Sequence, residues 1–482
     1  MATAAPSPQN QDQHWSFARI LRLLGKESPI IIVLGALAKA ADIFNSIRKL
    51  YGMDLSAPYI RVGVIAMIVL IHFACGVVFY RQAARKLHWR RWLIASGIAI
   101  VLAAFLWRTI PLVNDYLPSR PQLPSVADVE ISWTQQLFDT QTDTGASGGF
   151  GTAQTGNHPP DAWTSAQALN AILRGRYKSG RSAEIQKAFT YINDGKVNVG
   201  VGGYGWVAQS GDQWPRTEIT AWVALAYLSS LRSGDVWVPK ETPKICDRVI
   251  NLLTDIAGRQ NPATGGGWGP TTLSLPNSDR TYSSVMALWS LIEGRRTDPV
   301  AKIIGSRFDN NIRNGIAALM NVPHEGGWLA RIGGSETPHG LTFQALYVLS
   351  LIAACDPHLF KMNNLEDFEN QRRTLVTGMV VSPAAYQMLE RPSGDDQHVK
   401  LPDGRNIQEP FYVTFFPFPW SLALLHHMAH EQGLEHRLQS KASELAYELE
   451  QQVRSPEAIA YFRKVDTYEL AENLIGLEAG EK

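Results

Sequence analysis

The sequence predicts an all-α protein in which N-terminal transmembrane helices are followed by an α/α toroid of helix-hairpin repeats. Three observations carry that prediction: a four-fold glycine-aromatic repeat, the helical stretch downstream of each copy, and two long uncharged stretches near the start. The repeat reads Gly148-Gly149-Phe150, Gly202-Gly203-Tyr204-Gly205-Trp206, Gly266-Gly267-Trp268 and Gly326-Gly327-Trp328. Its second glycines stand at 149, 203, 267 and 327, so the intervals are 54, 64 and 60 residues. Self-similarity at a fixed period marks an array of supersecondary units that bury their flanks against one another.

The first element is the membrane segment, residues 1–113. Val62 to Tyr80 and Trp92 to Trp107 contain no Asp, Glu, Lys or Arg. A stretch of about twenty apolar residues is what a ~30 Å hydrocarbon slab requires. Between the two lie Arg81, Arg85, Lys86, Arg90 and Arg91 with no acid. By the positive-inside rule that loop is cytoplasmic, which places the rest of the chain on the extracytoplasmic side of a cell (inner) membrane. Arg19, Arg22, Lys26, Arg48 and Lys49 oppose this bias, and a third span in the apolar run from Pro29 to Ala38 would reconcile the two clusters. Residues 114–125 carry Pro118, Pro121 and Pro124 and read as a linker, because proline lacks an N–H and clashes inside a helix.

The toroid is expected over 126–438. Each glycine loop precedes an inner helix that is apolar on nearly all sides, as in Thr220–Leu228 and Ser283–Leu291. The second helix of each unit is amphipathic, as in Glu184–Ile192, and belongs on the outside. A helix apolar all round is packed all round, whereas an amphipathic one keeps a face in solvent. Five or six such pairs fit in the segment. Residues 439–482 form a helical tail with Leu445, Leu449 and Val453 on one face, able to pack on the ring or on a protein partner.

These glycine-aromatic loops resemble those of the terpenoid cyclase and prenyltransferase superfamily, squalene cyclase-like proteins included. Gln260 followed by Gly265-Gly266-Gly267-Trp268, and Gln141 followed by Gly148-Gly149-Phe150, are similar to the loop motif of its triterpene cyclases. The resemblance implies a membrane-anchored protein that acts on, or binds, an isoprenoid or other apolar lipid drawn from the bilayer. The catalytic motifs of that superfamily do not match: Asp-x-Asp-Asp is absent, Asp395-Asp396 lacks a third carboxylate, and Cys246 and Cys355 stand outside any zinc-ligand context.

The sequence therefore leaves open whether the protein is an enzyme. The alternative is a non-catalytic toroid that binds a ligand, a glycan or a protein. Candidates cluster just ahead of the inner helices. Asp161, Glu218, Asp279 and His339 are the groups able to move a proton, and Arg216, Arg280, Tyr282 and Trp214 those able to hold a ligand. Helix N-termini carry partial positive charge, which the arginines would reinforce toward an anion. The same residues also suit plainer roles, Asp161, Thr164, Thr220 and Ser283 as caps and Arg216 and Arg280 as partners of Glu218 and Asp279. Tyr282, His339 and Arg280 supply part of what a polysaccharide lyase on this architecture would need. A net charge of +1 gives no reason to expect a nucleic-acid partner, and nothing in the pattern asks for a cofactor or a metal.

Overall fold

A computed structural model describes residues 123–142, 145–152, 159–198, 204–207, 215–233, 242–261, 265–269, 280–321, 323–324, 327–328, 337–391, 396–400, 406–410 and 413–481. The chain divides after Gln122, and all described residues belong to the second unit, Leu123–Lys482. Among them no helix is long and apolar enough to cross a membrane. The transmembrane expectation therefore gains nothing from this structure; residues 62–80 and 92–107, on which it rests, lie outside the described residues.

The described chain is all-α apart from two-stranded hairpins. Six helices form an inner ring: α2 (Ala162–Arg174), α4 (Thr217–Ser233), α6 (Thr281–Arg296), α9 (His339–Cys355), α11 (Pro417–His430) and α14 (Thr467–Glu478). Each packs on the next, and α14 packs on α2, so the ring closes. The outer layer is α1 (Val126–Asp139), α3 (Ser182–Asp194), α5 (Thr242–Gly258), α8 (Asp309–Met320), α10 (Met362–Gly378) and α12 (His436–Val453), with α7 (Val300–Ile304) and α13 (Pro456–Phe462) as short additions. This is an α/α toroid of six hairpins. The segment expected as a tail supplies the sixth: α14 enters the ring, and the apolar stripe of α12 (Leu438, Ala442, Leu445, Leu449, Val453) is buried.

Burial separates the layers as the amphipathicity requires. Every residue of α4 from Thr217 to Ser230, and of α6 from Thr281 to Gly294, is buried. α5 buries a stripe, Ile245, Cys246, Val249, Leu252, Leu253, Ile256 and Ala257, the spacing of one helical face.

The glycine-aromatic loops join the end of an outer helix to the start of the next inner one. Three fold as antiparallel hairpins: β1 (Val197–Asn198) with β2 (Tyr204–Gly205), β3 (Gln260–Asn261) with β4 (Gly267–Trp268), and β5 (Pro323–His324) with β6 (Gly327–Trp328). The loop tryptophan turns back on the outer helix. Trp268 Nε1 donates to Ile256 O at 2.7 Å and Trp328 Nε1 to Leu319 O at 3.0 Å, with Trp206 bonded likewise to Ile192 O. These are carbonyls of the last turns, which have no partner within the helix. In the other direction, Ser165, Ser284 and Thr342 accept the backbone N–H of Phe150, Trp268 and Trp328. One aromatic residue thus ties the outer helix, the loop and the inner helix together.

The glutamines of the motif serve the same end. Gln260 Nε2 donates to Gly266 O at 2.7 Å and Asn311 O at 2.8 Å, and Gln141 Nε2 to Gly148 O and Glu184 O, both at 2.8 Å. Each glutamine fixes its loop to the following outer helix. Gly266 has φ +109°, and a Cβ there would lie 2.6 Å from Asn314 Cβ, so both conformation and space demand glycine.

Candidate functional site at the mouth of the ring

Helices α6 and α14 face each other across the ring, as do α2 and α9, so contacts within these pairs mark its axis. They occur at two levels. Toward the C-terminal ends of the inner helices, Arg174 on α2 donates Nη2–H to the Tyr347 hydroxyl on α9 at 3.4 Å. Its guanidinium also lies 5.5 Å from the Trp289 ring centroid. Glu293, fully buried, receives Arg232 at 2.7 Å, Arg296 at 3.6 Å and Arg174 at 3.7 Å, and accepts Trp289 Nε1–H at 3.2 Å. Burial alone would lower the Arg174 pKa, but Tyr347, Glu293 and Glu478 together more than offset it. This base level is an ion cluster centred on the buried Glu293.

Above it the axis is filled by tryptophan. Trp289 meets Trp222 and Trp420 with ring centroids 5.3 Å apart in both cases, nearly edge-to-face at 76° and 88°, the arrangement the ring quadrupole favours.

The second level lies nearer the N-terminal ends, where the charge of Glu472 on α14 is felt by Tyr282 of α6. The Tyr282 oxygen accepts Trp222 Nε1–H at 3.1 Å. Glu472 accepts from Gln167 Nε2 of α2 at 3.0 Å and from Trp420 Nε1 of α11 at 2.8 Å. Burial drives the Glu472 carboxyl up to about 8, with the neighbouring Glu469 adding and Trp420 opposing. Glu469, one turn earlier, is pushed up to about 7, also by burial, although Tyr461 donates to it at 2.7 Å. Burial likewise lifts the Tyr282 hydroxyl well above its ordinary value.

Of the candidates read from sequence, the structure brings Arg216, Glu218, Arg280 and Tyr282 together at the starts of α4 and α6. Glu218 is fully buried and its Oε2 accepts from Ser283 Oγ at 3.2 Å. Burial raises its pKa, and the charges of Arg216 and Arg280 oppose this. Both arginines are themselves buried and anchored through backbone N–H to Trp206 O and Trp268 O. They hold the seam between two inner helices. Asp161 is an N-cap: its carboxylate accepts Thr164 N–H and Thr164 Oγ1–H, each at 2.7 Å. His339 is exposed at the start of α9 and lines a side cavity of about 650 Å³ between α9, α10 and α11, away from the axis. Trp214 and Asp279 lie outside the described residues. Among the described residues no group of three His, Cys, Asp or Glu is placed to hold a metal ion.

Glu472 and Gln167 do not stand out in the sequence. The available signal is a pair of acids, Glu469 and Glu472, in an otherwise apolar helix with Leu470, Ala471, Leu474 and Ile475.

The site and fold define a closed six-hairpin α/α toroid with a plugged axis and a polar floor beneath its mouth. No family model matches the chain, and no curated protein matches it by sequence. Solved structures do. The α-1,6-mannanase GH76A of Salegentibacter sp. HEL1_6, in complex with α-1,6-mannotriose, is 12% identical with a TM-score of 0.49, over 74% of this chain and 99% of that one. The GH76 α-mannanase of Bacteroides thetaiotaomicron is 10% identical with a TM-score of 0.48, over 74% and 95%. A β-1,3-1,4-glucanase of Paenibacillus sp. X4 is 9% identical with a TM-score of 0.47, over 75% and 94%. The expected resemblance to terpenoid cyclases is corrected accordingly: the solved structures this fold resembles include α-mannanases and a β-glucanase rather than squalene cyclase-like proteins. The filled axis agrees with that correction, since Trp222, Trp289 and Trp420 occupy the space an isoprenoid chamber would need.

Proposed function

We propose that this toroid binds a glycan at the mouth formed by the N-terminal ends of its inner helices. The observation that carries the reading is the floor of that mouth. Tyr282, Trp222 and Trp420 set aromatic rings beside hydrogen-bonding groups, Glu472 and Gln167, where an isoprenoid site would have an empty apolar chamber. Aromatic surface with a few placed polar groups is the usual make-up of a small-molecule site. All five side chains are buried and bonded to one another, so the cluster underlies the proposed site rather than touching the sugar directly.

Calorimetric titration tests this. The probes are α-1,6-mannotriose, present in the complex of the neighbouring mannanase, and a mixed-linkage β-glucan oligosaccharide. The expected outcome is saturable binding of one of them by the folded protein, with a thermal melt confirming the fold. Absence of binding to both probes would remove the reading.

A further inference from the structure

The side cavity of about 650 Å³ lies between the inner helices α9 and α11 and the outer helix α10. Protein interiors leave few voids larger than a water molecule, and a space of this size falls within the range of small-molecule sites. Its wall is largely apolar: Phe343 and Leu346 of α9, Leu375 of α10, Met379 just beyond it, and Phe418 of α11 all line it. That surface runs out to Val380 and Met388, which are 84% and 44% exposed. No Asp, Glu, Lys or Arg is among the lining residues. Only His339 there can carry a charge, and it stands exposed at the start of α9. One polar group in this wall is unmet. Gln371 of α10 lines the cavity, and its Oε1 is buried with no hydrogen-bond partner among the described residues. The buried hydroxyls of the lining are already used. Thr342 Oγ1 donates to Pro338 O and accepts Trp328 N–H, both at 3.1 Å, and Ser421 Oγ donates to Phe418 O at 2.8 Å.

A buried acceptor without a donor forfeits the hydrogen bond that water would give it, and folded proteins keep few such groups. A ligand that brought an O–H to Gln371 would restore the bond. A charged head would lose its hydration and find no side chain of opposite fixed charge on this wall. We propose that the side cavity is a binding site for a neutral small molecule, an apolar body bearing one hydroxyl. The body lies against Phe343, Leu346 and Phe418, and the hydroxyl donates to Gln371 Oε1. This site stands apart from the glycan mouth and does not depend on the glycan reading.

Two probes test it, 1-octanol and octanoate, which share a hydrocarbon chain and differ in the charge of the head. Each is titrated calorimetrically into the full chain at pH 7. Octanol is expected to bind saturably, one molecule per chain, and octanoate at least about tenfold more weakly. Thr374→Trp sets an indole in the lining from the exposed side of α10 and should abolish octanol binding. Gln371→Leu keeps the volume but removes the acceptor, and should weaken octanol about fivefold. Thermal melts of both variants show whether the fold is retained. Absence of saturable octanol binding by the unaltered protein overturns the proposal. Binding that survives unchanged in folded Thr374→Trp also overturns it, by placing the alcohol elsewhere on the molecule. Octanoate binding as tightly as octanol refutes the neutral class of ligand, and equal affinity in Gln371→Leu refutes the contact that defines it.

Discussion

The two levels of the ring axis use the same materials to opposite effect. At the base, Glu293 is buried with three arginines around it, and Tyr347 closes the span to Arg174. At the mouth, Glu472 is buried with a tryptophan, a glutamine and a tyrosine. Burial penalises charge at both places, but arginines are bonded to Glu293 and the groups bonded to Glu472 are neutral. The base thus pairs its acid with cations, while at the mouth burial drives the Glu472 carboxyl up to about 8.

Removing buried groups at the base and between the levels should do the greatest damage. Glu293→Ala leaves the buried Arg174 without that carboxylate, beside the part-exposed Arg232 and Arg296, and a loss of about 3 kcal/mol in a denaturant melt is expected. A loss below about 1 kcal/mol would mean that the base cluster is not structural. Trp289→Ala, between the levels, removes a side chain fully buried against Trp222, Trp420 and Tyr347. Its expected cost is about 3–4 kcal/mol from lost packing.

At the mouth the sign reverses. The folded-state pKa of Glu472, about 8, lies above its ordinary value of 4.5. The folded protein therefore holds the proton more tightly than the unfolded chain. Stability from this group is full below about 4.5, declines as pH rises, and is lost once pH passes the folded value. Glu472→Gln should accordingly melt higher than the unaltered protein at pH 9, by about 1–3 kcal/mol, and differ little at pH 4.5. Equal melts at pH 9 would place the mouth acid in the same compensated class as Glu293. The smallest effect belongs far from the axis. Gly378, at the end of α10 beside the side cavity, has open space where a Cβ would stand. Gly378→Ala should gain about 0.4–1 kcal/mol by restricting the unfolded chain, a baseline for the axis variants in the same melts.

Much of the ring was legible because its loops repeat a physical task. Wherever an outer helix ends against an inner one, a glycine must let backbones approach and an aromatic ring must tie them, so Trp206, Trp268 and Trp328 announce their units. The sixth inner helix carries no such loop: α13 leads to α14 through Asp466 without a glycine pair, which is why this stretch read as a tail. The candidate site was half legible for the same reason. Tyr282 follows a signed loop and reaches the axis, whereas Glu472 sits in the unsigned helix. Asp161 shows the limit of residue type alone, since a carboxylate just before a helix serves a cap as readily as a reaction. The resemblance to cyclases rested on the glutamine and tryptophan of the loops, and those side chains are occupied with holding helices together.

The closure of the ring by α14 on α2 also sets the order in which the molecule can be completed. Gln167 and Glu472, which meet across that joint, are 305 residues apart in the chain, and contacts of such sequence separation are slow to form. During synthesis from the N-terminus, five inner helices emerge before the sixth exists, leaving the apolar flanks of α2 and α11 uncovered. A nascent chain arrested before Thr467 is thus an open horseshoe with two sticky edges, suited to pairing with another of its kind. Assembly of this toroid is a race between the arrival of its last helix and association between unfinished copies.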